Sequence, residues 1–294
     1  MSSFKKILVL MGVIALLLCI LAFGTLDYEV SKALINKQSS FAEFFNRFGE
    51  LPVGLGLLIS TAILFGSRQK EKKVNNVLGL IVGVPFMALF SFFTVIMPIN
   101  YTYEHVETGI PQFMMIVMIV MAILLFVITL LVINKVGAKQ LRNYRSIAFV
   151  LILVSFGAVI FVNILKIIWA RPRMRSIDTI DQFKYWYQIN GPTFDNELKS
   201  FPSGHTANAF VMIVYSMFIK NPKYKRYFVT FAITWGSLVA LSRVILGAHF
   251  LSDVVIGGFI TILLFYILET RLMKKKDHQS HVRQSQYGDT IRTN

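Results

Sequence analysis

Apolar residues in this chain form long unbroken runs, unlike the one-sided stripes of helices in water-soluble proteins. Most runs approach the roughly 20 residues that an α-helix needs to cross the hydrocarbon layer of a membrane. The pattern predicts an all-α fold, a polytopic membrane bundle of about eight transmembrane helices. The predicted spans are residues 7–24, 50–66, 77–99, 113–134, 146–169, 204–219, 227–246 and 251–270.

Basic residues predict the orientation of the bundle, because Lys and Arg near span ends are retained on the cytoplasmic side. Alternate connections are basic, and each basic segment is separated from the next by two predicted spans. We therefore expect both termini to be cytoplasmic. The basic segments are residues 5–6, 68–73, 135–145, 220–226 and 271–276.

The net charge of +15 does not predict a nucleic-acid partner, because the charges lie in connections beside anionic lipid headgroups. We expect the bilayer to be the partner. Cys19 is the single cysteine, which excludes a disulfide framework within the chain and a zinc site built on cysteines. Residues 1–23 lack an A-x-A cleavage site and are interpreted as an uncleaved signal anchor.

Ionisable side chains at the ends of predicted spans gather in the C-terminal half. Each such group costs roughly 2.5–3.5 kcal/mol at the membrane centre, so these residues are functional candidates by default. A single interfacial cation has a simpler explanation, since a lysine such as Lys166 can snorkel to the headgroups. By the predicted topology, all these groups lie on the extracytoplasmic face and can converge there. They are Lys166, Arg171, Arg173, Arg175, His205, Arg243, His249 and Asp253.

His249 and Asp253 are four residues apart at the mouth of the last predicted span. This spacing stacks two side chains on one helical face. A carboxylate then accepts the proton of one imidazole nitrogen and leaves the other nitrogen free to attack. The pair therefore has the arrangement that a histidine nucleophile needs.

A Pro-Ser-Gly turn precedes His205 at the start of the sixth predicted span. The Ser203 hydroxyl, the backbone N–H groups near Gly204 and the positive end of the helix dipole together form an anion site. A plain helix cap is the simpler alternative for this turn. The cations suited to the oxygens of a bound phosphate are Lys166, Arg173 and Arg243.

These segments together resemble the type 2 phosphatidic acid phosphatase family, which shares its site pattern with vanadium haloperoxidases and bacterial acid phosphatases. The family pattern is Lys-x6-Arg-Pro, then Pro-Ser-Gly-His, then Ser-Arg-x5-His-x3-Asp. Residues 202–205 match the second block in full, and residues 242–253 match the third. The resemblance covers roughly residues 146–270.

The first block departs from the family pattern, because Met174 stands where proline is expected. Seven helical residues at about 100° each bring Arg173 to within about 20° of Lys166, whereas Arg171 points about 140° away. This geometry favours Arg173 as the phosphate ligand. Pro172 interrupts the helix at this point, so Arg171 stays open as an alternative.

The resemblance implies that His249 attacks phosphorus, that Asp253 orients it, and that His205 protonates the leaving alkoxide and later activates water. It implies no cofactor. A metal site made by the same three residues is the alternative, but the surrounding groups suit an anion and would repel a cation. The phosphate-binding candidates are Lys166, Arg173, Ser203, Gly204 and Arg243, with Arg171 and Ser242 as further possibilities.

The resemblance implies an integral membrane phosphatase whose substrate is a lipid phosphate monoester or diphosphate. Phosphatidic acid, phosphatidylglycerol phosphate and undecaprenyl diphosphate are candidates. We expect a multi-pass protein of a bacterial plasma membrane with an outward-facing site, and the oligomeric state stays open. The predicted domains are a four-helix N-terminal addition (1–145), a four-helix catalytic core (146–276) and a disordered cytoplasmic tail (277–294).

Three other functions fit parts of the pattern. A transporter or channel also places charges among spans, but it predicts charges near the midplane of several helices, whereas here they lie at one face. A haloperoxidase has no evident need for eight spans. A catalytically inactive lipid-binding or scaffold relative stays open because of Met174, although both histidines and Asp253 are present.

Overall fold

A computed structural model of the chain describes residues 3–69, 71–104 and 106–292. Every regular element in these residues is helical, as the sequence predicts. The α-helices are α1 (Ser3–Leu21), α2 (Leu26–Ala33), α3 (Ser40–Phe48), α4 (Leu51–Gly66), α5 (Lys73–Leu78), α6 (Val84–Tyr103), α7 (Gln112–Lys135), α8 (Ala138–Arg142), α9 (Arg145–Trp169), α10 (Gly204–Phe210), α11 (Pro222–Ile245) and α12 (Leu251–Arg292). A π-helical segment covers Gly79–Gly83, and 3-10 helices cover Met174–Ser176, Ile180–Gln182, Asn196–Leu198 and Val211–Phe218.

Six helical segments of the described chain are long and apolar enough to cross a membrane, which supports a polytopic bundle. Each coincides with one of the eight predicted spans. α7 lies at the periphery, where only 17% of its apolar window is buried, so most of its surface is available to lipid. The six segments are Ser40–Gly66, Lys73–Tyr103, Gln112–Lys135, Arg145–Ser176, Pro222–Ile245 and Leu251–Leu272.

The other two predicted spans depart from simple helices. The first is bent, because Met11–Leu21 and Leu26–Ala33 meet at 90°. The other, predicted at 204–219, consists of α10 with 7 residues followed by the 3-10 helix Val211–Phe218 with 8 residues. A 3-10 helix rises about 2.0 Å per residue and an α-helix about 1.5 Å, which gives roughly 26 Å for this short stretch.

α4 lies in the centre of the packing and contacts α6, α9 and α10. Its glycines allow the close approach, since a Cβ atom at Gly54 would lie 2.7 Å from the hydroxyl oxygen of Thr94 in α6. At Gly56, a Cβ atom would lie 3.3 Å from Leu151 in α9. Small residues favour helix association in membranes because they let backbones pack closely.

The main apolar core joins the two halves of the chain. Leu57 of α4, Met87 of α6 and Leu151 of α9 are all buried in it, together with Val214 of the 3-10 helix. The predicted division at residue 145 stays a prediction, and contacts between α4 and α9 cross it. The predicted tail, 277–294, falls largely in the polar end of α12, and its disorder also stays a prediction.

Several helix termini meet at one end of the bundle, which we call the site end. α4, α10 and α12 begin there, and α9 and α11 end there. Backbone hydrogen bonds tie the termini together, including Ser203 N–H to the Asp253 carbonyl at 3.0 Å and Arg175 N–H to the Gly247 carbonyl at 2.7 Å. The segment 170–203 connects α9 to α10 and covers this end.

Candidate active site

The three motif segments place their polar side chains together at the site end. Lys166 lies in the last turn of α9, and Arg243 in the last turn of α11. His205 lies in the first turn of α10, and Asp253 lies in the first turn of α12. His249 lies in the connection that precedes α12. The N-terminus of α10 suits an anion site, because the first N–H groups of a helix lack partners within the helix.

The start of α10 forms an anion-binding end with an ammonium group beside it. The Ser203 hydroxyl accepts hydrogen bonds from the N–H and the hydroxyl of Thr206, at 3.4 and 3.0 Å, so it caps its own helix. A Cβ atom at Gly204 would lie 3.6 Å from Lys166 Nζ. The Lys166 ammonium therefore adds its positive charge to that of the helix dipole.

His249 and Asp253 are buried side by side, with 3.7 Å between His249 Nδ1 and Asp253 Oδ2. This separation exceeds hydrogen-bond length, and His249 precedes the first residue of α12. The backbone N–H of His249 donates to the Arg243 carbonyl at 3.3 Å, which links the third motif block internally. The carboxylate lies on the Nδ1 side of the ring, so Nε2 is the nitrogen directed away from it.

The Asp253 carboxylate is held by three donors. Arg171 Nη1 lies 2.5 Å from Oδ1, while the Ser200 hydroxyl and the Phe250 N–H donate to Oδ2 at 2.5 and 2.9 Å. Arg171 Nη2 donates to Asp27 Oδ2 at 2.9 Å. Arg171 is fully buried between two carboxylates, so its guanidinium is already matched by negative charge.

Arg173 is the more available of the two arginine candidates. Its Nε donates to the Asn196 carbonyl at 2.9 Å, and its side chain is 15% exposed. Its charge acts on both Lys166 and His249. The helical argument for Arg173 does not apply, however, because α9 ends at Trp169.

Left-handed backbone at Ala170 causes this early end, with φ of 45° and ψ of 43°. The chain therefore turns before Pro172 and enters the segment 170–203 with Arg173 in extended backbone. After this turn the two arginine side chains have different partners. Arg171 contacts Asp27 and Asp253, whereas Arg173 contacts the Asn196 carbonyl.

Arg243 is buried and donates through Nη1 to Asn46 Oδ1. Its neighbour Ser242 donates its hydroxyl to the Val239 carbonyl at 2.7 Å. The Ser242 hydroxyl is thus engaged within α11, whereas Arg243 faces the other charged groups.

Three site nitrogens are buried without a hydrogen-bond partner in the part of the chain that the structure describes. They are His205 Nε2, Arg243 Nε and His249 Nδ1. Buried polar atoms are rarely left unpaired in native proteins. His249 Nδ1 faces the Asp253 carboxylate, whereas His205 Nε2 and Arg243 Nε are left for an external partner, and the cations of the site favour an anion as that partner.

The electrostatic environment keeps His249 neutral. Burial lowers its pKa most, and the positive charges of Lys166, Arg173 and Arg243 lower it further, well below the usual value near 6.5. A neutral imidazole retains the lone pair that nucleophilic attack requires.

Three residues of the N-terminal half also reach the site, and the sequence analysis missed them. Asp27 of α2 pairs with Arg171, Asn46 of α3 with Arg243, and Glu50 lies 3.6 Å from His205 Nδ1. All three are buried polar residues close to apolar runs. Their position could have identified them as candidates, because polar and ionisable groups beside membrane spans are costly without a partner.

A polar cavity of about 470 Å³ lies beside the site. Arg243 and Ala248 line one side, and Arg175 and Glu197 line another. The hydrogen bond from Arg175 lowers the pKa of Glu197, so the carboxylate stays ionised. Another cavity of about 490 Å³ lies near Arg68, beyond the opposite end of α4, and is lined by none of the predicted site residues.

In the described residues, no three His, Cys, Asp or Glu side chains lie close enough to hold a metal ion. The charges of Lys166, Arg173 and Arg243 all act on His249. The arrangement therefore suits a tetrahedral oxyanion, which arginine and lysine bind through charge-assisted hydrogen bonds.

Comparison with known proteins agrees with this chemistry. A family model described as PAP2 superfamily matches residues 144–276. Phosphatidylglycerophosphatase B of Bacillus subtilis (strain 168) is 38% identical over 76 residues, which are 24% of this chain and 37% of that relative's length. No solved structure gives a significant match. Residues 144–276, somewhat less than half of the chain, are therefore similar to the PAP2 superfamily, which agrees with the resemblance of the motifs to the type 2 phosphatidic acid phosphatase family.

Proposed function

We propose that this chain is an integral membrane phosphatase that hydrolyses lipid phosphate monoesters or diphosphates. The observation that carries the proposal is the grouping of Lys166, Arg173 and Arg243 with His205 and His249 at the site end, where the Lys166 ammonium lies beside the N-terminus of α10. The PAP2 superfamily match supports the activity, as does the similarity to phosphatidylglycerophosphatase B of Bacillus subtilis.

In the proposed reaction, His249 Nε2 attacks phosphorus while the bond between phosphorus and the lipid oxygen breaks. The leaving oxygen takes a proton from His205, and a phosphohistidine forms. Water then attacks the phosphohistidine and gives its proton to His205, which releases inorganic phosphate and restores both histidines. Asp253 orients His249.

Charge compensation comes from the chain's own cations. Lys166, Arg173 and Arg243 bind the phosphate oxygens, helped by the N–H groups at Gly204. These groups supply what phosphoryl transfer requires, so we propose that the reaction needs no metal. Ser203 supports the site by capping α10, and Arg171 supports it by holding Asp253.

We propose that the lipid reaches the site from the outer headgroup layer of a bacterial plasma membrane. The alternating basic connections support this orientation. The bent first segment and residues 204–218 complete eight crossings in this proposal, which places both termini in the cytoplasm. Phosphatidylglycerol phosphate is the leading substrate because of the relative's name, with phosphatidic acid and undecaprenyl diphosphate as alternatives.

A panel of these three lipids tests the proposal. Phosphate release is measured in detergent that contains a chelator, for wild type and His249→Ala side by side. We expect wild type to release phosphate from at least one lipid and the variant to release none, with an unchanged melting temperature. A wild type that is folded and inactive on every lipid, or a variant that retains turnover, contradicts the proposal.

A further inference from the structure

Glu50 is a buried carboxylate from the N-terminal half that reaches the C-terminal motif residues. It precedes α4 and is 4% exposed. The Tyr101 hydroxyl donates to its Oε2 at 2.6 Å, and Asn208 Nδ2 donates to its Oε1 at 2.9 Å. These two bonds fix the carboxylate from both sides. The basic side chain nearest to it is His205, whose Nδ1 lies 3.6 Å from Oε1.

The two nitrogens of His205 have different surroundings. Nδ1 faces Glu50, whereas Nε2 is buried and has no hydrogen-bond partner among the described residues. The 3.6 Å separation is longer than a hydrogen bond, so the carboxylate acts on the ring as a nearby negative charge and favours a proton on Nδ1. The Tyr101 ring packs against the imidazole with 4.7 Å between ring centroids, so the ring is also held from one face.

Phosphate binding and proton donation make opposing electrostatic demands on this site. The cations that suit phosphate binding, Lys166, Arg173 and Arg243, also disfavour a further positive charge on a ring near them. A general acid must nevertheless carry a proton when the leaving oxygen departs. Glu50 is the carboxylate placed against His205, and an opposite charge nearby favours the charged form.

We propose that Glu50 is the positioning residue of His205, which directs Nε2 toward the leaving oxygen and favours the protonated ring. Tyr101 and Asn208 hold Glu50 in this position. The inference rests on the proposed function, because it assigns His205 the role of general acid. It also gives α4 and α6 a part in the chemistry beyond membrane anchoring.

Leaving-group dependence tests this role, because formation of the phosphohistidine needs a proton from His205 only when the leaving group is a strongly basic alkoxide. The experiment compares wild type with Glu50→Gln on an alkyl lipid phosphate and on p-nitrophenyl phosphate, whose leaving group departs without a proton. For the lipid, kcat should fall roughly 10²-fold in Glu50→Gln with little change in KM, within the range of general acid catalysis. With the aryl phosphate, the rate constant for phosphoenzyme formation, measured as the first-turnover release of p-nitrophenol, should change much less.

The carboxylate itself is tested by Glu50→Asp, which should restore part of the lipid turnover. The matched control is Glu29→Gln, the same charge change at an exposed position of α2. It should leave both rates unchanged. If Glu50→Gln does not fold, Tyr101→Phe removes only the hydroxyl that holds Glu50, and it should show a smaller loss with the same substrate dependence.

Equal losses on both substrates, or no loss on either, overturn the positioning role while wild-type turnover leaves the proposed function intact. A folded wild type without turnover of any lipid phosphate overturns the proposed function instead. The two failures are therefore distinguishable.

Discussion

Arg171 Nη1 lies 2.5 Å from Asp253 Oδ1, and both side chains are fully buried. The same guanidinium donates to Asp27 of α2 at 2.9 Å. Ser252 joins the network, since its hydroxyl accepts from Arg171 and donates to Asp27. A single arginine thus connects the N-terminal segment of the chain to the start of α12.

Arg171→Gln should destabilise the protein, because it leaves two buried carboxylates without their cation. Breaking a buried ion pair by removing one partner costs about 3–5 kcal/mol. We expect a lower melting temperature in detergent, with loss of activity following from displacement of Asp253. Arg173→Gln is the matched comparison and should melt near wild type. Equal melting of wild type and Arg171→Gln, with only a raised KM in the latter, would show that Arg171 binds substrate directly.

Arg173→Gln should reduce turnover rather than stability. Loss of one preorganised group that stabilises the transition state costs roughly 10²–10³-fold in kcat. The measurement is steady-state phosphate release from a short-chain lipid phosphate. Lys184→Gln, an exposed position in the same connecting segment, is the control and should retain the wild-type rate. Full activity of Arg173→Gln would remove it from the phosphate-binding set.

The pH profile should report the low pKa of His249. The ring must be neutral to attack, so activity is present above its pKa and is lost as the pH falls through it. Because burial and three cations lower that pKa, the acid limb of kcat/KM should lie below the usual value near 6.5. Arg173→Gln removes one cation, so its acid limb should move to higher pH.

Using one substrate for both proteins cancels the ionisation of the substrate phosphate. An acid limb that stays in place in Arg173→Gln, or moves to lower pH, would show that Arg173 does not set the charge state of His249.

Gly257→Ala should disturb the anion site through backbone contact. A Cβ atom at this position would overlap the carbonyl oxygen of Ser203, and backbone atoms there have little room to move. Overpacking of this kind costs about 1–3 kcal/mol. We expect a lower melting temperature and weaker phosphate release. Gly137→Ala is the control, since no atom lies within 4 Å of its added Cβ, and it should behave as wild type.

The sequence predicted the elements that depend on local pattern. The apolar runs located six spans, and the motif spacing located Lys166, His205, Arg243, His249 and Asp253 at helix ends. Such patterns can be predicted from the sequence because each involves residues within one helix or at its boundary. The sequence favoured Arg173 over Arg171 by assuming that the helix continues, but α9 ends at Trp169 and is followed at Ala170 by a left-handed backbone that alanine rarely adopts and that no local pattern predicts.

The partners contributed by the N-terminal half were not predicted. Asp27 pairs with Ser252, and Glu50 with Asn208, across more than 150 residues of sequence. These contacts depend on how α2 and α4 pack against the motif helices, which no local spacing encodes. The apolar run at 204–219 predicted a simple span, whereas Val211–Phe218 is a 3-10 helix.

Trapping of the phosphoenzyme tests the central claim most directly. His205→Ala is mixed with p-nitrophenyl phosphate, whose leaving group needs no acid, so phosphoryl transfer proceeds while hydrolysis lacks its base. The reaction is stopped in alkaline denaturant, which preserves phosphohistidine, and peptides are sequenced by mass spectrometry. The account predicts a phosphoryl group on His249, absent in the double variant with His249→Ala. A phosphoryl group on another residue, or none on His249 in a wild type that turns over lipid phosphate, would contradict it.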